Sequence, residues 1–307
     1  GFSAQKVGEI DIIVAELVSN LVKHGGGGRV VVKLQQEMDN TFLELISIDS
    51  GKGMADVNRM MIDGVSTKNT LGQGMGAMKR LSHLFQVYSM KDWGTVTLIR
   101  IWKNDPALFS PASLTQIRSV IIPKPGETAC GDGFFHKSTS DTISFFLGDG
   151  LGHGPEAELA VTQAGEAFMN CADKDPASII RYVNSSVRKT RGLVGTVVCV
   201  DTKEKKWRIC GIGNIQTRIA DGIELKGYMA YNGIIGLNVP NTLKTHEMPF
   251  ENGQQLIMSS DGIKTRWDIF RYQTIMRYDL SILCATLLKD FSRNTDDAAV
   301  VACKINL

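Results

Sequence analysis

A chain of 307 residues exceeds the roughly 100 to 200 residues of one domain, so two cores are expected. Its 43% hydrophobic and 21% charged residues are those of an ordinary globular protein, and a formal charge of +2 without a dense Lys/Arg stripe argues against a nucleic-acid partner. No apolar run approaches the ~20 residues that cross a bilayer, and the start lacks the regions of a signal peptide, so a soluble cytoplasmic protein without a membrane partner is expected.

In chain order, Ile12, Ile13, Leu17, Leu21 and Val22 recur at helical spacing from Gly8 to about Lys23, and the glycine run Gly25 to Gly28 ends that helix. RVVVKL and TFLELISID predict strands joined by the turn residues Met38, Asp39 and Asn40, and GTVTLIRIW predicts a third strand after intervening helices. Residues 103–113, with Pro106 and Pro111 among polar and small residues, predict a linker. Beyond it TISFFLGDG, GTVVCVD, WRICGIGN, QLIMSSDG and AAVVACKI predict strands, with helices near Glu156 to Cys171, Pro176 to Lys189 and Leu280 to Phe291. Cys130, Cys171, Cys199, Cys210, Cys284 and Cys303 are scattered through apolar segments without a C-x-x-C pair. That fits reduced thiols in a cytosolic protein, although spacing alone leaves an oxidising compartment open.

Two constellations carry chemistry. In AELVSNLVKH, Glu16, Asn20 and His24 are four residues apart and share one helix face; the alternative reading is a solvated polar stripe. IDSGKGM ends a strand in Asp49 followed by Gly51 and Gly53, a carboxylate where backbone can approach a ligand closely, or simply a glycine-rich turn. STKNTLGQGMGAMKRL places Gly72, Gly74 and Gly76 before an amphipathic helix whose N-terminus suits phosphate oxygens. A strand beginning Gly94-Thr95 follows.

In that order these elements resemble the GHKL ATPase superfamily, and DGVSTKNTLGQGMGAMKRL resembles its RsbT-type serine kinases. The resemblance covers residues 1–102 and implies an N-terminally clipped α/β sandwich, a mixed sheet with helices on one face. It implies ATP with Mg²⁺ as cofactor: Glu16 as general base, Asn20 as Mg²⁺ holder, Asp49 with Gly51 and Gly53 at the adenine, and Gly72, Gly74 and Gly76 as the lid. Thr95 matches the threonine near an adenine-bound water; His24 receives no firm role. No helical hairpin bearing a phosphoacceptor histidine precedes Glu16, so serine phosphorylation fits better than a histidine kinase.

In the second half acidic residues recur at strand ends: Asp132, Asp149, Asp261 and the pair Asp296-Asp297. Each alone can be a turn, as Asp221-Gly222 is read to be. Together they form an oxygen donor set that suits two Mg²⁺ or Mn²⁺ ions and a water nucleophile. GDG, GDGLGHG, SSDGI and DDAAVV in this order resemble the SpoIIE/RsbX branch of the PPM phosphatases over residues 114–307, with an αββα sandwich implied. The resemblance implies metal binding by Asp132, Asp149, the Gly150 carbonyl, Asp261, Asp296 and Asp297, with Asp149 and Asp261 also counted as catalytic. Gly133 intervenes before Phe134 and Phe135, where relatives carry an aromatic pair directly after the first aspartate. His136 and His153 can donate to phosphate or relay a proton, or serve as surface or supporting histidines.

The leading expectation is a bifunctional partner-switching regulator. The first domain phosphorylates a serine or threonine of a STAS-type, stressosome-related protein, and the second removes such a phosphate. The alternatives are a phosphatase whose ATP-binding domain only senses nucleotide or binds protein, and an anti-sigma-like scaffold without turnover. Target, input signal and oligomeric state are not legible.

Overall fold

Helix α1 (Ala4–Lys23) starts at Ser3, whose extended backbone lets its hydroxyl accept the Lys6 N–H at 3.3 Å. Ile13, Leu17 and Leu21, four residues apart, form its buried edge. It stops where the His24 and Gly25 N–H groups bond the carbonyls of Asn20 and Leu21, after which Gly26 (φ +67°) and Gly27 (φ +104°) turn the chain. This is a computed structural model, and it describes residues 1–37, 40–57, 74–105 and 115–306. Gly72, Met38, Asp39, Pro106 and Pro111 lie outside the described residues.

Strands β1 (Arg29–Glu37), β2 (Asn40–Asp49), β3 (Leu84–Met90) and β4 (Gly94–Trp102) form a sheet in the order β1-β2-β4-β3, with helix α2 (Gly74–Leu81) between β2 and β3 in sequence. The layered α/β class is as expected, with three differences in detail. The sheet is not mixed, since all three described pairings are antiparallel. Strand β3 was hidden in the stretch read as helical, because LFQVYSM is a short apolar run without strict alternation. Helices do not cover one face alone. One face packs Leu45, Ile99 and Ile101 against Ile13 and Leu17 of α1 and Met78 of α2. Yet Glu44 to Ile48 are buried in succession, so the opposite face is covered too.

The cover comes from far along the chain. Packing divides the protein into one unit of Gly1–Ala112 with Tyr272–Lys289, and another of Ser113–Arg271 with Asp290–Leu307. Sequence reading placed Tyr272–Lys289 wholly in the second domain. A buried ion cluster explains why it groups with the first. Arg100, paired across the sheet with Glu44, donates from Nε to Glu44 Oε2 at 2.7 Å and from both Nη atoms to Asp279 at 2.6 and 2.7 Å. Ser281 Oγ receives Arg100 Nη2 at 3.0 Å and donates to Glu44 at 2.9 Å, while Lys33 Nζ stands 2.6 Å from the other Glu44 oxygen. Burial alone would raise the Glu44 pKa, but Lys33 and Arg100 outweigh it and hold the carboxyl below its ordinary range.

The second unit stacks two five-stranded antiparallel sheets. One runs β11-β10-β13-β14-β5 and the other β12-β9-β8-β7-β6, with β5 Thr115–Ile122, β6 Asp132–Ser138, β7 Thr142–Gly150, β8 Leu193–Asp201, β9 Lys206–Ile212, β10 Gln216–Ala220, β11 Leu225–Tyr228, β12 His246–Pro249, β13 Gln255–Ser259 and β14 Ala298–Ile305. Phe145, Leu147, Val198 and Trp207 of one meet Leu256, Met258, Val301 and Cys303 of the other. The outer face of β7 to β9 buries Phe146, Val197 and Cys210 under helices α3 (Pro155–Asn170) and α4 (Pro176–Ser186). Helix α4 begins at Asp175, whose side chain accepts the Ser178 N–H at 2.9 Å, with Pro176 in the first turn. These are three layers of the expected αββα sandwich. The remaining helix, α5 (Leu280–Phe291), groups by packing with the first unit over most of its length. Asp221 caps its own turn in the β10–β11 hairpin, accepting the Ile223 and Glu224 N–H groups. Among the described residues no helix is long and apolar enough to cross a membrane.

Candidate functional site

In the first unit, α1 presents Glu16 toward the start of α2. A methyl group on Gly74 would lie 2.3 Å from Glu16 Oε2, so the glycine is what allows the carboxylate to lie against the first turn of that helix. Asn20 follows one turn later, and its carbonyl accepts the His24 N–H at 2.9 Å. Asp49 ends β2 opposite Thr95 of β4 and turns its Oδ1 to the Gly51 N–H at 2.9 Å. Burial raises its pKa, against the opposing pull of the Gly51 and Thr95 N–H groups. Gly51 leaves no room for a Cβ beside the His24 carbonyl (2.3 Å), and Gly53 (φ +61°) none beside the Met90 carbonyl (1.9 Å). These glycines bring the D-x-G-x-G loop, the end of α1 and the β3–β4 turn into direct contact.

Sequence reading missed Ser89. It pairs with Thr95 across β3 and β4, its Oγ lies 3.0 Å from Thr95 Oγ1, it donates to the Gly94 carbonyl and it accepts the Met54 N–H at 2.8 Å. A serine in an unrecognised strand gave no signal.

In the second unit, antiparallel register sets Asp132 of β6 directly opposite Asp149 of β7. The Gly150 N–H donates to the Gly131 carbonyl at 2.9 Å, and a Cβ on Gly150 would strike the Ala157 carbonyl at 2.4 Å, so α3 closes directly over the GDG turn. Asp261 follows β13, Asp296 and Asp297 precede β14, and those strands are neighbours. Gly262 leaves no room for a Cβ beside the Asp297 carbonyl (1.9 Å). Gly262→Ala is expected to push these two loops apart and lower stability by about 1–3 kcal/mol, read as a lower melting temperature.

Burial, then the neighbouring carboxylates, pushes Asp132 and Asp149 well above the usual carboxylate range. Asp132 Oδ2 accepts the Ser260 hydroxyl at 2.6 Å, while its Oδ1 is buried without a partner. An orphaned, buried oxygen among mutually repelling carboxylates fits a cation. As they stand, no three His, Cys, Asp or Glu side chains among the described residues are grouped closely enough to hold one ion. Both oxygens of Asp297 accept backbone N–H groups at 2.8 Å, from Lys124 and Gly131, which makes it a brace for that loop. Glu127 of the same loop pairs with His153. His136, on β6, has its pKa lowered by burial. The Cys130 thiol is pushed up by burial to about 12, which removes it as a nucleophile.

Ser260, Asn214 (Nδ2 to Asp261 Oδ2, 2.9 Å) and Arg293 (Nε to the Asp261 carbonyl, 2.8 Å) were not singled out from sequence, although Ser260 and Asn214 stand inside SSDGI and GIGN. Gly133 also finds its reason here: a Cβ would meet Val161 Cγ1 of α3 at 2.3 Å.

Comparison with known proteins finds two families along the chain, and the second match runs through residues 272–289, which pack with the first unit. The family model of stage II sporulation protein E (SpoIIE) matches residues 139–306, and that of the histidine kinase-like ATPase domain matches residues 1–101. The phosphoserine phosphatase RsbX of Bacillus subtilis is 25% identical over 149 residues, 46% of this chain and 71% of its own length. The serine/threonine-protein kinase RsbT of the same organism is 30% identical over 95 residues, 31% of this chain and 71% of its own. A crystal structure of RsbX in complex with magnesium has the same fold, with a TM-score of 0.56 at 20% identity over 73% of this chain and all of the other.

Proposed function

Because the chain belongs to the SpoIIE family and carries an RsbT-like ATPase domain over residues 1–101, we propose that it is a bifunctional switch that adds and removes a phosphate on a serine or threonine of a STAS-domain protein. The observation that carries the reading is the pairing, in one chain, of the Glu16–Gly74 cradle with a cluster of strand-end carboxylates around the orphaned Asp132 oxygen.

In the kinase step the acceptor hydroxyl oxygen attacks the γ-phosphorus of ATP, the bond to the β-phosphate oxygen breaks, Glu16 takes the hydroxyl proton and ADP leaves. Asp49 would read the adenine amino group, Asn20 would hold Mg²⁺, and Gly74 and Gly76 would give the triphosphate close backbone approach at the start of α2. In the hydrolytic unit, a PP2C-type serine phosphatase, Asp132, Asp149, the Gly150 carbonyl, Asp261 and Asp296 would hold two Mg²⁺ or Mn²⁺ ions, and RsbX is described with magnesium. Bound divalent cations supply Lewis-acid stabilisation of phosphate charge and lower the pKa of water. Asp297 keeps the 124–131 loop in place, Ser260 fixes Asp132, and Arg293 holds the Asp261 backbone. None of the six cysteines is in a disulfide, in keeping with a reducing, cytoplasmic setting.

The test is transfer of label from ATP to a STAS protein by wild type and Glu16→Gln, followed by Mn²⁺-dependent loss of that label. Glu16→Gln is expected to lower phosphotransfer at least ~10²-fold with nucleotide affinity retained. Unchanged transfer overturns the role of Glu16. Hydrolysis of a pre-phosphorylated STAS protein, with no transfer by wild type, favours the second reading, in which the ATP unit only regulates. Packing of Tyr272–Lys289 on that unit is the observation in its favour.

A further inference from the structure

The segment Tyr272–Lys289 is fastened to the nucleotide unit at three places. Near its start, Tyr88 Oη donates to the Gln273 carbonyl at 3.2 Å, and the Tyr272 ring lies 5.9 Å from Trp93. In its middle, Asp279 takes both Nη atoms of Arg100, and its N–H donates to Gln86 Oε1 at 2.9 Å. At its end, Lys289 Nζ stands 4.0 Å from the centroid of the Trp93 ring, a cation–π contact.

Trp93 belongs to the turn between β3 and β4, and that turn rests on the nucleotide cradle. The Asp92 N–H donates to the Lys52 carbonyl at 2.7 Å, inside the D-x-G-x-G loop. Gly94 (φ +116°) leaves no room for a Cβ beside the Asp49 carbonyl, 2.2 Å from where it would stand, and Gly53 is pressed in the same way on Met90. The Lys289 charge also acts on Asp49 itself. Seven and eight residues beyond Lys289 the chain reaches Asp296 and Asp297.

We propose that Lys289 is a positioning residue of the nucleotide site, and that the segment it ends makes adenine-nucleotide occupancy at Asp49 a regulator of the hydrolytic carboxylates. The inference rests on the reading of Asp49 as a nucleotide-binding residue. A nucleotide that reorders the 49–53 loop moves the Trp93 turn, and with it the ammonium group that ends the segment. From there the displacement passes along the chain to the carboxylates that precede β14. The coupling runs both ways, so whatever tightens the carboxylate cluster also alters nucleotide affinity.

The experiment uses the full chain with ADP or a non-hydrolysable ATP analogue and Mg²⁺. Three quantities are read: nucleotide affinity by calorimetry, the fluorescence change assigned by Trp93→Phe, and the Mn²⁺-dependent rate on p-nitrophenyl phosphate. In wild type, nucleotide is expected to change fluorescence through Trp93 and to shift the hydrolytic rate by about 5-fold or more. Lys289→Met, at a partly exposed position, should keep the basal rate and lose both the fluorescence change and the rate shift. Asp279→Asn should lose the rate shift while nucleotide still binds. Nucleotide binding that leaves wild-type hydrolysis unchanged overturns this inference alone, as does a full response in Lys289→Met. Absence of any nucleotide binding overturns the nucleotide reading and this inference with it.

Discussion

Asp149→Asn is expected to lower metal-dependent phosphoserine hydrolysis by at least ~10³-fold, since a lost ligand removes several kcal/mol of charge stabilisation at ~1.4 kcal/mol per decade of rate. The same substitution should raise the stability of the metal-free protein. Burial and the facing carboxylates lift the folded-state pKa of Asp149 and Asp132 above the ~3.9 of an unfolded aspartate. Between those values the folded state holds protons that the unfolded state has released, so metal-free stability falls as pH rises through that interval. Melting of the chelated wild type should therefore occur at lower temperature at pH 8 than at pH 5. Metal-free Asp149→Asn should melt above metal-free wild type at pH 8, with the gap closing toward pH 4. Added Mn²⁺ should raise the wild-type melting temperature more at pH 8 than at pH 5. A variant with full metal-dependent activity, or a metal-free melting point indifferent to pH, removes the assignment of this cluster as a cation site.

Arg100→Ala is expected to cost about 3–5 kcal/mol, because it leaves Glu44 buried beside Asp279 with Lys33 as its remaining cation. A fall in melting temperature on the order of 10 °C would register it. The cost is that of stranding a carboxylate, so removing the stranded charge should return much of the loss. Arg100→Met combined with Glu44→Leu and Asp279→Asn should be markedly more stable than Arg100→Ala. Because Glu44 is held below its ordinary range, its contribution is present at neutral pH and disappears only as acid reaches the lowered folded value. A near-neutral Arg100→Ala would mean that water reaches the cluster.

The parts of this protein that were legible in its sequence are those governed by local rules. Helix α5 was read over its full length from its apolar run, β7 and β8 from apolar runs ending in Gly and Asp, and β14 from the apolar run that follows Asp296-Asp297. The carboxylates drew notice because acidic residues recur in Gly-rich or acidic motifs beside apolar runs through the second half of the chain. Other strands were not: β3 is fixed by its hairpin with β4, and β5 and β12 by partners distant in sequence, rather than by their own pattern. Ser89 and Ser260 escaped for the same reason, since a serine becomes noticeable only when register sets it beside Thr95 or turns it onto Asp132. The charged residues inside β2 and β4 did leave a trace. Glu44 and Arg100 interrupt apolar strands, and a buried charge needs a partner, but nothing local announced that Asp279 would supply it.

The return of residues 272–289 to the first unit sets a timetable for biosynthesis. At about 5–20 residues per second, a ribosome needs roughly 10–35 s to travel from the end of the first continuous stretch to Lys289. Throughout that interval the nascent sheet has Arg100 and Glu44 in place but lacks the aspartate that completes their cluster. The last step in maturing the nucleotide unit is therefore the arrival of a piece encoded well downstream of the rest of that unit.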